Sequence, residues 1–99
     1  MNHVDTVELL KALADTTRLS LLRNLAAQNE PMMTCDIARS CSSLSQLSQP
    51  TMSHHINKLV AAGVVLEQKQ AKQKAYRLNT ELLRASGIDI IALTNDNEK

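Results

Sequence analysis

The side chains best suited to chemistry lie in one polar segment, residues 48–58, where hydroxyl, amide, imidazole and ammonium groups occur without a carboxylate. Ser48 is a residue type that caps helix starts, Pro50 suits the first turn of a helix, and Gly63 suits its end. The segment therefore predicts a helix between Ser48 and Gly63. Side chains of these types can donate to and accept from base edges in the DNA major groove.

The apolar residues of this helix separate a buried side from an outer side. Met52, Ile56, Leu59 and Val60 recur at i, i+4, i+7 and i+8, which indicates one buried stripe. A rotation of about 100° per residue then places the polar side chains opposite that stripe. Taken alone, an ordinary amphipathic surface helix would show the same pattern. The predicted outer face consists of Pro50, Thr51, Ser53, His54, Asn57 and Lys58.

A β-hairpin is predicted directly after this helix. Residues 64–68 form a short, β-branched run, and residues 74–78 alternate in polarity. The intervening residues 69–73 are polar and basic, which predicts a flexible basic tip. Such a tip could simply keep a loop solvated, but behind a helix of this kind it is better placed to reach DNA phosphate.

Length and composition narrow the class of protein. A chain of 99 residues forms one domain with a modest core. Tyr76 is the one aromatic residue, so no stacking platform exists for single-stranded nucleic acid. The net charge is only +1, but residues 49–77 hold five basic residues and one acidic residue. A local charge of +4 on a near-neutral domain favours a double-stranded DNA partner.

Several other functions are not supported by the sequence. With two glycines there is no glycine-rich phosphate loop, and no nucleophile–base set or carboxylate pair stands out, so we expect neither an enzyme nor a small-molecule substrate. No signal peptide and no membrane-length apolar run is visible. Cys35 and Cys41 then fit reduced thiols in a cytoplasmic protein.

The flanking segments complete a single predicted domain, residues 1–99. Residues 5–27 are expected to form two helices, the first burying Val7, Leu10 and Leu13, and the second capped by Asp15 with Arg18 outside. Residues 34–63 form a helix-turn-helix, in which Thr34 caps the first helix and 42–48 is a polar turn. The wing is 64–78. The C-terminal segment, 79–93, begins with a helix capped at Asn79 or Thr80 and ended by Gly87.

Two motifs give the chain a family resemblance. Residues 10–22 (LKALADTTRLSLL) and 47–59 (LSQPTMSHHINKL) resemble the opening and the recognition helix of the ArsR/SmtB winged helix-turn-helix repressors, and AGVV at 62–65 resembles the start of their wing. This resemblance implies a mainly α fold with a small β-hairpin wing. It also implies a homodimer that binds a near-palindromic operator through double-stranded DNA contacts and represses transcription, with its first and last helices at the dimer interface.

The resemblance also assigns roles to particular residues. By position, the recognition helix would contact DNA bases, Lys58 would lie near phosphate, and the basic wing would touch the backbone or the minor groove. The residues carried over in this way are Gln49, Thr51, Ser53, His54, Lys58, Lys69, Lys72 and Lys74.

Departures from the family pattern concern the sensing of a signal. Metal-sensing relatives carry Cys-x-Cys in the third helix, where this chain has Met33-Thr34-Cys35, and no histidine follows His55. We therefore expect no cofactor, although a metal ion bound through an incomplete motif stays open. Two alternatives also remain: a thiol or soft-metal gate at Cys35 and Cys41, or a protein-interaction module that docks through residues 87–93.

Overall fold

The computed structural model describes residues 6–28, 30–40 and 42–94, and it shows a mainly helical chain with a small antiparallel sheet. Both features were predicted. Its strands are β1 (Met32–Met33), β2 (Val65–Gln70) and β3 (Gln73–Leu78). Its helices are α1 (Thr6–Leu13), α2 (Thr16–Ala26), α3 (Thr34–Arg39), α4 (Ser42–Ser45), α5 (Gln49–Ala61), α6 (Thr80–Ala85) and α7 (Ile90–Thr94).

Helix α5 packs on the core through the predicted stripe. Met52, Ile56 and Leu59 are 2%, 4% and 1% exposed. They belong to the same buried cluster as Leu21 and Leu22 of α2, which are fully buried. Burying an aliphatic side chain of this size contributes about 1.5–3 kcal/mol. This packing therefore determines which face of α5 points to solvent.

Three predicted N-caps are confirmed, those of α2, α5 and α6. The Asp15 carboxylate accepts from the Arg18 backbone N–H at 2.9 Å and begins α2. The Ser48 hydroxyl accepts from the Thr51 backbone N–H at 3.2 Å and begins α5. Each bond satisfies an amide that the first helical turn leaves without a partner.

The predicted cap of α3 is wrong. Thr34 is already helical, and the N-cap position belongs to Met33, which makes no side-chain capping bond. The reason is strand β1, in which Met32 pairs with Tyr76 and Met33 with Ala75 of β3. The strand leads directly into the helix, and a two-residue strand is too short for hydrophobic periodicity to reveal.

The hairpin is longer and its tip shorter than predicted. Most of the expected tip, residues 69–73, belongs to the two strands, because Gln70 pairs with Gln73. The turn is Ala71 and Lys72, with Ala71 at φ 57°. Polar side chains do not interrupt a backbone hydrogen-bond ladder, so the ladder continues beyond the apolar core.

The prediction of the buried face of α1 is only partly correct. Leu13 is buried, as predicted, but its buried partners are Leu9 and Ala12, each 5% exposed. Val7 and Leu10, which were predicted to lie on the same buried face, are 56% and 54% exposed. Helix α1 therefore presents apolar side chains both to the core and to solvent.

The segments before α5 and after α6 also carry helices that periodicity did not predict. The expected turn at 42–48 contains α4, which buries Leu44 at 1% exposure. Gly87 adopts φ +75° just after α6 and ends that helix, as predicted. The apolar run that follows forms α7, in which Ile90 is buried and Ile91 is exposed.

Asn79 is the side chain that ties the C-terminal helices to the end of α5. Its Oδ1 accepts from Leu82 N–H at 3.2 Å, and its Nδ2 donates to the Gly63 carbonyl at 2.8 Å. We expect Asn79→Ala to lower the free energy of unfolding by about 1–2 kcal/mol, because it removes a cap and leaves a carbonyl without its donor. Asn79→Ser should retain the cap and lose about half as much. Urea denaturation measures both. Equal losses would show that the cap contributes nothing, and no loss in Asn79→Ser would contradict the role of the Gly63 contact.

Candidate nucleic-acid interface

The outer face of α5, defined here as residues 49–51, 53, 54, 57 and 58, is exposed at every position. It holds hydroxyl, amide, imidazole and ammonium groups and no carboxylate. The predicted DNA-contacting residues Gln49, Thr51, Ser53, His54 and Lys58 are thus brought together on one solvent-facing surface.

The first turn of this helix is held by its cap. The Ser48 hydroxyl accepts from the Thr51 amide and donates to the Thr51 hydroxyl oxygen at 2.9 Å. The Thr51 hydroxyl proton therefore remains available for an external acceptor. The positive end of the helix dipole lies at the same turn, which favours an anionic partner there.

His55 has a different role from its neighbour His54. His54 is exposed, whereas the His55 side chain is only 16% exposed and lies against the start of α2. Its Nδ1 is 3.3 Å from the Arg18 guanidinium and 3.8 Å from the Asp15 carboxylate. Because successive residues of a helix are rotated by about 100°, the two adjacent side chains face different surroundings.

Arg18 is a functional residue whose location was predicted wrongly. It was expected outside, but it is partly buried and donates from Nε to the Ala12 carbonyl at 2.7 Å. Another guanidinium nitrogen donates to the Lys11 carbonyl at 3.2 Å. Arg18 thus caps the end of α1 while it contacts His55 of α5. No periodicity signal could show this, because the contact spans 37 positions of the chain.

The three predicted wing lysines are exposed but not equivalent. The Lys74 ammonium is 3.0 Å from a Glu67 carboxylate oxygen. The hydrogen bond to Glu67 and its charge raise the pKa of Lys74, which keeps the ammonium charged but partly neutralised by its neighbour. Lys69 and Lys72 form no ion pair within the part of the chain that the structure describes. They are therefore the more available cations of the wing.

Of the two cysteines predicted to act as a thiol or soft-metal gate, the structure describes Cys35. Cys35 is exposed on α3, with its Sγ 3.9 Å from the Arg39 guanidinium. Cys41 lies outside the described residues, so the geometry of the pair stays a prediction. Among residues 6–28, 30–40 and 42–94, no group of three or more potential metal ligands comes together.

Helices α3 and α5, the short helix between them and the hairpin that follows define a winged helix-turn-helix DNA-binding domain. Comparison with known proteins agrees, since a family model described as a helix-turn-helix domain matches residues 13–68. The arsenical resistance operon repressor of Escherichia coli K12 is 37% identical over 82 residues, covering 83% of this chain and 66% of that protein. Its counterpart in Staphylococcus xylosus is 34% identical over 83 residues, covering 84% of this chain and 74% of that protein.

A solved structure of HlyU from Vibrio cholerae N16961 is 28% identical and has a TM-score of 0.72, with 95% of this chain and 92% of that chain covered. The chain therefore belongs to the ArsR family of winged helix-turn-helix transcriptional regulators. Members of this family bind DNA and are not enzymes. None of the helices in the described ranges has the length and apolar character needed to span a membrane.

The two adjacent histidines provide a matched pair of variants. His55→Ala should lower the free energy of unfolding by about 1–2 kcal/mol, because it removes the acceptor that faces Arg18 at the junction of α2 and α5. His54→Ala should change it by no more than about 0.5 kcal/mol, because that side chain is exposed. Urea unfolding monitored by circular dichroism gives both values, and equal losses would show that the junction contributes nothing specific.

Proposed function

We propose that this chain is a dimeric repressor that binds a near-palindromic operator in double-stranded DNA. The outer face of α5 carries the proposal: it is exposed at every position and free of carboxylates, while the opposite side is held in the core. The relatives named as operon repressors support the same regulatory outcome. The relatives named above are bacterial operon repressors, whose target DNA lies in the cytoplasm, and we propose the same location for this protein.

Base recognition is assigned to the N-terminal half of α5. Ser53 and His54 are adjacent and exposed, and Thr51 retains a free donor. Gln49 reaches outward from the first turn. In helix-turn-helix proteins this part of the recognition helix contacts base edges in the major groove. Each well-formed side-chain contact there is worth about 1–3 kcal/mol of discrimination between bases.

Phosphate binding is assigned to lysines at both ends of the interface. Lys58 lies on the outer face of α5, and Lys69 and Lys72 lie near the end of the wing. Lys74 is assigned a weaker phosphate contact, because the Glu67 carboxylate partly neutralises its ammonium. These contacts position the protein without reading sequence.

A second copy of the chain is the proposed occupant of an apolar groove of about 690 Å³ between α1, α2 and α7. Leu10 and Leu93 border it and are 54% and 50% exposed. Exposed leucines beside an apolar groove indicate a protein interface. The protomer measures 37 × 30 × 24 Å, so two copies side by side could place their α5 helices about 34 Å apart, in successive major grooves.

The inducing signal is proposed separately from DNA binding. Because one of the two thiolates of the family's metal motif is absent at Met33-Thr34-Cys35, we propose that operator binding needs no bound metal or other cofactor. Gating by oxidation or by a soft metal at Cys35 and Cys41 stays a second prediction. Operator binding by a double Cys→Ser variant, with and without oxidant or zinc, separates the two.

Base contacts and phosphate contacts should respond differently to substitution. Using a duplex selected from a random pool by the wild-type protein, we expect Ser53→Ala and His54→Ala to reduce the preference for that duplex over a scrambled one. The loss should be about 1–3 kcal/mol at the contacted base pair. Lys72→Ala should weaken both duplexes equally and make the slope of log K against log [salt] shallower by about 0.9.

Fluorescence anisotropy at several salt concentrations measures these effects, with Arg84→Ala on α6 as a charge-matched control. Loss of preference in the Lys72 variant, or unchanged preference in both α5 variants, would contradict the assignment. Failure of the wild-type protein to select any duplex at low salt would reject the proposed function itself.

The dimer is tested by placing a charge in the apolar groove. Leu10→Asp should convert the protein to a monomer that remains folded, because its side chain is exposed in the protomer. Operator affinity should fall by at least tenfold, since each half-site is then bound independently. Light scattering after size-exclusion chromatography gives the mass, with Gln68→Asp on β2 as the control, because it adds the same charge at an exposed position outside the groove. A Leu10→Asp protein that is still dimeric would leave the groove for another partner, as the interaction-module alternative supposes.

A further inference from the structure

A second basic feature adjoins the outer face of α5 and contains no residue of the wing. A cleft of about 320 Å³ opens between the end of α1, the start of α2 and the end of α5. Lys11, Arg18 and Lys58 line it together with Glu8, so cations outnumber anions three to one. The remaining lining residues are the small side chains Ala12, Ala61 and Ala62.

The walls of the cleft differ in rigidity. Arg18 is fixed by its bonds to the carbonyls of Ala12 and Lys11 and by its contact with His55. The Lys11 ammonium is 70% exposed and lies 3.8 Å from the Glu8 carboxylate, which is 61% exposed. Ion pairs with this exposure and spacing contribute little, about 0–1 kcal/mol. Lys11 can therefore leave Glu8 for a stronger anionic partner at small cost.

The position of the cleft identifies the kind of anion. Lys58 belongs both to the cleft and to the outer face of α5, one helical turn beyond His54. A helix that lies in the major groove has a phosphate backbone at the edge of that groove. An anion between Lys58 and Lys11 would therefore be a phosphate of the bound duplex next to the bases that α5 contacts.

We infer that Lys11 of α1 and Lys58 of α5 together hold one DNA backbone phosphate, with Arg18 as the fixed cationic wall of the site. This inference rests on the proposed function and deepens it, because it brings a helix of the dimer groove into contact with the operator. Glu8 then opposes binding, since the phosphate must displace it from Lys11. Free inorganic phosphate has the same chemistry and is the alternative source of the anion.

The first test uses salt dependence with the wild-type operator duplex. Lys11→Ala should make the slope of log K against log [salt] shallower by about 0.9, the value expected for one lost phosphate contact. Lys11→Arg should retain the slope, and Arg84→Ala serves as the distant control. Glu8→Gln should tighten binding at low salt, because it removes the competing carboxylate. Unchanged slopes in Lys11→Ala, with the wild-type protein still binding, would overturn this inference alone.

The second test locates the phosphate. Duplexes that each carry one uncharged methylphosphonate at successive backbone positions should reveal a position that weakens the wild-type protein more than it weakens either Lys11→Ala or Lys58→Ala. The absence of any such position would overturn the inference. In the absence of DNA, titration with inorganic phosphate should leave the Lys11 side-chain NMR signals unchanged at millimolar concentration. Saturable shifts there would instead assign the cleft to a free anion. Loss of all duplex binding by the wild-type protein would reject the proposed function as well.

Discussion

One guanidinium group links three helices beside their shared apolar core. Arg18 donates to two carbonyls at the end of α1, follows the Asp15 cap of α2 by one turn, and contacts His55 of α5. Helix α1 carries exposed leucine toward the proposed dimer groove, and α5 carries the outer face toward DNA. The same side chain therefore contacts both of the helices that carry these surfaces, through a planar fork that a lysine could not replace.

The electrostatics of the protein are local rather than global. Exposed charges are screened over about 8–10 Å in physiological salt, so an approaching duplex responds to the charges near it and not to the net charge of +1. Within residues 49–77 the positive charge available to DNA is smaller than the count of residues suggests, because Glu67 partly neutralises Lys74. Lys11 lies outside that segment and has acidic neighbours in the sequence. The fold nevertheless brings it to the same cleft as Lys58 and so adds it to the basic surface.

The parts of the fold that could be predicted are those determined by short-range patterns. The helix at Gln49–Ala61, its Ser48 cap and its buried stripe follow from spacing alone, and so does the Asp15 cap of α2. Strand β1 could not be predicted, because it is defined by pairing with residues more than 40 positions away. The Arg18 contact with His55 could not be predicted for the same reason. The polarity of an arginine predicts an exposed side chain unless its distant partners are known.

Helix α1 has two apolar faces, and the sequence of a single chain does not reveal which of them is buried in the protomer. Periodicity assigned Val7 and Leu10 to the core because apolar residues usually lie there, yet the core of this protomer is already filled by Leu9, Ala12 and Leu13. Leu10 also borders an apolar groove, and contiguous exposed apolar surface of this kind indicates an interaction site. Since α1 also carries Lys11 at the cleft beside α5, pairing of two copies through α1 would orient both DNA-contacting surfaces at once. The dimer and the operator contacts would then be parts of one geometric constraint.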